Sequence, residues 1–241
     1  MKIVLKIRRF NPETDDAPRY QEYPVTVEPR DRLLDALMQV KRRQDGSLGL
    51  RKSCAHGVCG SDAMRINGKD RLACKTLVRD VAENDGDTVT VEPLRYFSVQ
   101  RDLIVDQGPF FEKYRSVNPF LINEEPVAEK ERVQSPEERK AFDDPTNCIL
   151  CAACFSACPI PEENPRFLGP AAIGQAVRFN DDSRDRGWEE RLPVLDAPDG
   201  VWPCQSHFEC TKACPRGIKL TKLINQTKRR IAKFKEEEGR E

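Results

Sequence analysis

No run in the 241-residue chain approaches the roughly 18 consecutive apolar residues of a bilayer-spanning helix, so no segment is read as one. The opening Met-Lys-Ile-Val-Leu-Lys-Ile-Arg is too short and too charged for a secretory signal, which points to a reducing compartment. Neither sign of charge is in excess. Forty Lys and Arg stand against forty Asp and Glu, so the basic surplus of a nucleic-acid binder is missing and no nucleic acid is expected as a partner. Neither G-x-G-x-x-G nor G-x-x-x-x-G-K-[ST] occurs, which removes the dinucleotide and phosphate-loop fingerprints. Histidine is scarce, with only His56 and His207.

Cysteine, by contrast, is plentiful: ten residues in three groups. In a reducing compartment disulfides are disfavoured, and metal ligation is the default. The middle group, Cys148, Cys151, Cys154 and Cys158, reads C-x2-C-x2-C-x3-C-P. Three thiolates at i, i+3 and i+6 hold three corners of an iron–sulfur cube, and the fourth ligand comes from elsewhere; in two-cluster ferredoxins the fourth cysteine of such a run serves the other cluster. The last group, Cys204, Cys210 and Cys214, repeats the pattern with His207 at the position of the middle thiolate. On spacing, Cys148, Cys151, Cys154 and Cys214 make a four-iron (4Fe-4S) set. Cys158, Cys204 and Cys210 remain as a three-thiolate set for a 3Fe-4S cluster. Zinc is the rival, but its tetrahedral sites are built from paired C-x2-C knuckles, which a double run ending twice in Cys-Pro fits badly.

The first group, Cys54, Cys59 and Cys74, follows the C-x4-C-x2-C spacing of plant-type 2Fe-2S ferredoxins except that Asp62 stands where the third thiolate belongs. A carboxylate is a harder iron ligand than a thiolate, and the alternative is a solvated loop residue. Ligation by Asp62 is preferred, because the other three cysteines are all present. Ten cysteines plus Asp62 then divide into four, four and three ligands. With the cysteines so used, no Cys/His nucleophile remains, and His56, between Cys54 and Cys59, is read as hydrogen bonding or surface polarity.

Around these groups two regions are expected, residues 1–100 and 101–241. In the first, Ile3, Leu5 and Ile7 alternate with charge, as do Tyr23, Val25 and Val27 with their neighbours, which is strand periodicity. Asp31 is placed to cap a helix with Leu33, Leu34, Leu37 and Val40 on one face. Asn67-Gly68 marks a hairpin turn, and Thr88–Val91 a further strand. Strand signals stop near Arg101. Ser135-Pro136-Glu137-Glu138 is a capping box, 124–139 is a linker or surface excursion, and helices follow from Gly169-Pro170 and over 220–234. The lysines and arginines of that last helix are expected to be solvated.

Three clusters without an organic cofactor site describe a wire, with substrate chemistry on a partner. The residues Cys54-Ala-His-Gly-Val-Cys59-Gly-Ser-Asp62, Asn67-Gly68-Lys69 and Leu72-Ala73-Cys74 resemble the iron–sulfur subunit of succinate dehydrogenase and fumarate reductase. So do Cys148-Ile-Leu-Cys151-Ala-Ala-Cys154, Asn164-Pro165, Phe167-Leu-Gly-Pro170, Asp182-Ser-Arg-Asp185 and Cys210-Thr-Lys-Ala-Cys214-Pro215. The resemblance implies an α+β chain: a plant-type ferredoxin (β-grasp-like) domain, then an all-α bacterial-ferredoxin-like domain. It implies a flavoprotein partner with covalent FAD, membrane anchor subunits, a quinone acceptor, and clusters ordered 2Fe-2S, 4Fe-4S and 3Fe-4S from flavin to quinone. Its setting is respiratory electron transport and the tricarboxylic acid cycle, peripheral on the cytoplasmic face of the inner or plasma membrane. Succinate oxidation is the expected direction, with fumarate reduction as the alternative.

The chain departs from that pattern in two places. Glu162-Glu163 precede Asn164-Pro165 where a tryptophan is common, and Gln205 follows Cys204 where histidine is frequent. His207, Gln205, Pro159 and Ile160 are the residues expected on the quinone side. For His207 the preferred role is quinone-side polarity, ahead of a polar bystander or a fourth iron ligand. Outside this class, a freestanding ferredoxin-like carrier and a structural zinc protein are the competing functions.

Overall fold

The structure, a computed structural model, describes residues 1–126, 129–237 and 239. Its strands are β1 (Lys2–Arg9), β2 (Arg19–Thr26), β3 (Ala63–Ile66), β4 (Lys69–Leu72), β5 (Thr88–Glu92), β6 (Val99–Arg101) and β7 (Ile104–Val105). Its helices begin with α1 (Leu33–Arg43), α2 (Gly108–Ser116), α3 (Pro136–Ala141), α4 (Asp143–Thr146) and α5 (Ala153–Ala157). They continue with α6 (Ile160–Glu163), α7 (Pro170–Asn180), α8 (Trp188–Leu195), α9 (Glu209–Ala213) and α10 (Leu220–Glu237). The chain divides into two compact units: Met1–Gln107 with Ile149–Ala157, and Gly108–Cys148 with Cys158–Glu241.

The first unit is a five-stranded sheet in the order β2-β1-β5-β3-β4, with β1 and β5 parallel and the other pairs antiparallel. The period-two pattern sends Ile3, Leu5 and Ile7 to one face, where they are buried with Val89 and Val91 and with Leu33, Leu34, Leu37 and Val40 of α1. Asn67 (φ 48°) and Gly68 (φ 74°) form the two-residue turn between β3 and β4, a left-handed pair that matches strand twist.

Two expectations fail here. Asp31 does not cap α1: Arg32 is the cap residue and has no side-chain cap bond, while the Asp31 carboxylate accepts from the Glu28 amide at 2.8 Å. Strand structure also continues past Arg101, because β6 and β7 pair around Asp102. The buried Asp102 carboxylate explains that turn, accepting from Arg9 Nε (3.0 Å), the Phe10 amide (2.9 Å) and the Gly49 amide (2.7 Å).

Segment Ile149–Ala157 is fastened to the sheet of its own unit. Ser156 Oγ donates to Asp70 Oδ1 at 2.5 Å and accepts from the Arg95 amide at 2.8 Å; the Arg95 guanidinium binds the Ser156 carbonyl, and Phe97 packs on Phe155. Asp70 is buried, and that burial raises its carboxyl above the ordinary range.

The second unit is helical. Val117, Phe167, Ile173, Ala176, Leu195, Val201, Ile224 and Ile231 are among its buried core residues. The Ser135 capping box forms, with Pro136 at the helix start. Inside the preceding segment, Val127 and Ala128 lie outside the described residues. The rest of that segment is tied down through Glu125 to Arg132 and Arg186, and through Gln134 to Asp182 and Ser183. Arg191 is wholly buried at 0% exposure against Asp185 at 1%. Its guanidinium also donates to the carbonyls of Val117, Asn118 and Phe120, fixing the chain after α2.

The basic face of α10 is only partly solvated. Lys228 Nζ donates to the carbonyls of Trp202 (3.3 Å) and Cys204 (2.7 Å), Arg230 stacks on Trp188, and Lys235 pairs with Asp196.

Candidate iron–sulfur sites

The loop from Cys54 to Asp62 winds through left-handed residues, Ala55 (φ 58°), Gly57 (φ 73°) and Gly60 (φ 70°). This winding turns the amides of His56 and Cys59 toward Cys54 Sγ, each at 3.3 Å. Amide-to-sulfur hydrogen bonds of this kind stabilise negative charge on sulfur and tune cluster potentials. Arg32 Nη1 holds the loop by donating to the Ala55 carbonyl at 2.7 Å. Ser61 Oγ lies 3.2 Å from Cys59 Sγ, and the Ser61 hydroxyl and amide, with hydrogen bonds from Cys54, bring the Cys59 thiol down to about 6.

Asp62 is buried, not a solvated loop residue, and faces Cys74. Its Oδ2 accepts the Cys74 amide at 2.5 Å and its Oδ1 accepts the Cys74 thiol at 3.4 Å. Burial first, then the adjacent carboxylate, pushes the Cys74 thiol up to about 12. The carboxylate and the sulfur thus face each other out of water, an oxygen and a sulfur donor that could both bind iron. His56 is exposed and contributes its backbone amide.

Gly60 brings a second cysteine group close. A Cβ built on Gly60 would lie 2.6 Å from Cys151 Cβ, 3.0 Å from Cys151 Cα and 3.2 Å from the Ile149 carbonyl oxygen. The loop after Cys59 therefore touches the backbone that carries Cys151, and the absence of a side chain permits it. Cys151 and Cys154 belong to the first unit; Cys148 and Cys214 belong to the second.

Within the second unit, Cys158, Cys204 and Cys210 line one pocket that opens to solvent. His207, Gln205, Pro159 and Ile160 line it too, so all four residues expected at the quinone end face the three-cysteine space. Thr221 Oγ1 lies 3.4 Å from Cys210 Sγ, and burial raises the Cys210 thiol. None of the ten cysteines forms a disulfide. Among the described residues no three His, Cys, Asp or Glu side chains converge as they would around one ion. A cluster of several irons spreads its ligands around an inorganic core and asks for no such point.

Spacing alone left several of these residues unnoticed. Ser61, Gly60, Thr221 and Lys228 act on the loops through contacts that only the fold creates. For Gly60 and Ser61 the one available signal was their place directly after Cys59.

Residues 4–112 match the family described as a 2Fe-2S iron-sulfur cluster binding domain, and residues 144–218 match a 4Fe-4S dicluster domain. A fumarate reductase iron-sulfur subunit of Mycobacterium tuberculosis is 43% identical over 94% of this chain and 92% of its own length. A succinate dehydrogenase iron-sulfur subunit of Coxiella burnetii is 42% identical over 93% and 94%. A solved chain of the Mycobacterium smegmatis Sdh1 complex in the apo form superposes with a TM-score of 0.88 at 27% identity, covering 97% of both chains. Sequence and fold thus agree along nearly the whole length, and the chain belongs to the family of iron–sulfur electron-transfer subunits of succinate dehydrogenases and fumarate reductases.

Proposed function

We propose that this chain carries electrons from an FAD-containing flavoprotein subunit to a membrane quinone through 2Fe-2S, 4Fe-4S and 3Fe-4S clusters, in the direction of succinate oxidation. Cys54, Cys59, Asp62 and Cys74 hold the first cluster; Cys148, Cys151, Cys154 and Cys214 hold the second; Cys158, Cys204 and Cys210 hold the third. Residues 1–100 carry the ligands of the first cluster and residues 101–241 those of the other two. The close approach of Gly60 to Cys151 supports this proposal: the loop assigned to the first cluster has no side chain between it and a residue assigned to the second.

The clusters supply reversible one-electron chemistry. The chain's own residues hold and tune them. Amides of His56 and Cys59 favour charge on Cys54 sulfur, Asp62 supplies a hard oxygen ligand, and Lys228 fixes the loop that starts at Cys204. Gln205, Pro159, Ile160 and His207 form the wall facing quinone. Among the described residues no helix is long and apolar enough to cross a membrane, which suits a peripheral subunit on the cytoplasmic face of the inner or plasma membrane, held by anchor subunits.

Fumarate reduction is the second reading, favoured by the relatives that bear that name. Steady-state assay of the assembled complex with succinate and quinone, and with fumarate and quinol, tests the direction. Faster succinate oxidation supports the proposal, and dominant fumarate reduction overturns it.

A further inference from the structure

The two C-terminal cysteine groups repeat one backbone design. Counting from Cys148, positions +2 and +4 are Leu150 (φ 52°) and Ala152 (φ 62°), both left-handed, and they flank Cys151 at +3. Counting from Cys204, positions +2 and +4 are Ser206 (φ 60°) and Phe208 (φ 64°), also left-handed, and they flank His207 at +3. A five-residue helix then starts at +5 in each case, Ala153–Ala157 and Glu209–Ala213. Left-handed backbone is costly for leucine, alanine, serine and phenylalanine alike, so four such residues in matching places mark a conformation that the surroundings enforce.

The second copy is also pinned. Asn225 Nδ2 donates to Ser206 Oγ at 3.1 Å, and the Lys212 amide donates to the Phe208 carbonyl at 3.0 Å. Lys228 holds the Cys204 carbonyl. Between these fixed points His207 is exposed, and it lines the cavity that Cys158, Cys204 and Cys210 share.

We propose that His207 is the fourth protein ligand of this cavity, binding a fourth iron through an imidazole nitrogen. The backbone on either side of His207 repeats the backbone on either side of Cys151, and three thiolates leave one corner of a cube open. Imidazole is an established ligand for cluster iron, and replacing thiolate with it raises the potential. Closing the corner needs one ferrous ion from the medium and one electron, which the succinate-driven wire supplies to the three-iron cluster. An imidazole nitrogen donates its lone pair to the incoming iron, and no covalent bond of the protein breaks. This inference rests on reading the cavity as the three-iron site.

The test uses the assembled complex, wild type and with His207→Ala or His207→Cys. Electron paramagnetic resonance of the oxidised complex reads the three-iron signal before and after anaerobic reduction with dithionite, addition of ferrous ions and mild reoxidation. The inference expects loss of the signal in wild type and its survival in His207→Ala. It expects no three-iron signal at any stage in His207→Cys, with a reduction potential below that of the iron-filled wild type. Pulsed resonance of the reduced, iron-filled wild type should show nitrogen coupling from the imidazole, a readout that depends on no variant. Equal behaviour of wild type and His207→Ala, or no nitrogen coupling, overturns the inference while the three-iron reading stands. If wild type and His207→Ala both lack the signal before iron addition, and iron and sulfide account for only two clusters, the three-iron reading falls and the inference with it.

Discussion

Asp62 and Cys74 share two contacts across twelve residues of sequence: the carboxylate accepts the Cys74 amide at 2.5 Å and the Cys74 thiol at 3.4 Å. Both are buried, and the proposed ligation would put a metal where the thiol proton now lies between them. Replacing Asp62 with alanine is expected to abolish or broaden the reduced-state 2Fe-2S resonance while leaving the other two clusters intact. Asp62→Cys should retain the cluster at a shifted potential. Redox-titrated resonance spectra of the assembled complex check both, and an unchanged 2Fe-2S signal in Asp62→Ala contradicts ligation.

Gly60 is a position where any side chain meets backbone. In Gly60→Ala the added methyl faces Cys151 Cβ at 2.6 Å and the chain must hold φ near 70°, a strain of about 1–3 kcal/mol. The loops separate, so electrons should reach the second cluster more slowly although both clusters assemble. Rapid-freeze resonance after mixing with succinate measures this, and unaltered kinetics would remove the contact from the electron path.

Ser156 satisfies a buried carboxylate. Ser156→Ala leaves Asp70 without its hydroxyl partner and should lower stability at neutral pH by about 1–3 kcal/mol. Burial already holds the Asp70 carboxyl above its ordinary value, and the Ser156 bond pulls it down, so the variant raises it further. A carboxyl raised on folding stabilises below its unfolded value and loses that contribution as pH rises through its folded value. The deficit of Ser156→Ala should therefore be larger at pH 8 than at pH 5. Denaturant midpoints of the iron-loaded subunit at the two pH values decide it.

Arg191 and Asp185 are the helical unit's buried ion pair, bonded at 2.7 and 3.0 Å. Arg191→Met strands the Asp185 charge in the interior and is expected to cost about 3–5 kcal/mol. The double variant with Asp185→Leu should recover part of that loss, because the uncompensated charge is then gone. Thermal unfolding of both variants measures the coupling.

What the sequence made legible was local. Ile3, Leu5 and Ile7 alternate because a strand turns one face inward, Asn67-Gly68 matches a two-residue hairpin, and Ser135 with Glu138 closes its own capping box. Cysteine spacing is local too, since three ligands of a cluster sit within one short loop. Long-range pairings gave no such signal. Ser156 meets Asp70 across 86 positions, and Lys228 meets the Cys204 carbonyl across 24. The β6–β7 hairpin was invisible because strands of three and two residues show no period, and its turn depends on Arg9 far upstream. Asp31 looked like a cap by type and place, yet its carboxylate closes the turn at Glu28 instead.

The central claim is that the ten cysteines and Asp62 hold three different clusters. Stepwise reduction of the purified, air-protected complex, followed by electron paramagnetic resonance with iron and sulfide analysis, tests it most directly. Three components are expected, one paramagnetic only when oxidised and two appearing on reduction at separate potentials. Zinc in place of iron, or a single cluster species, would contradict it.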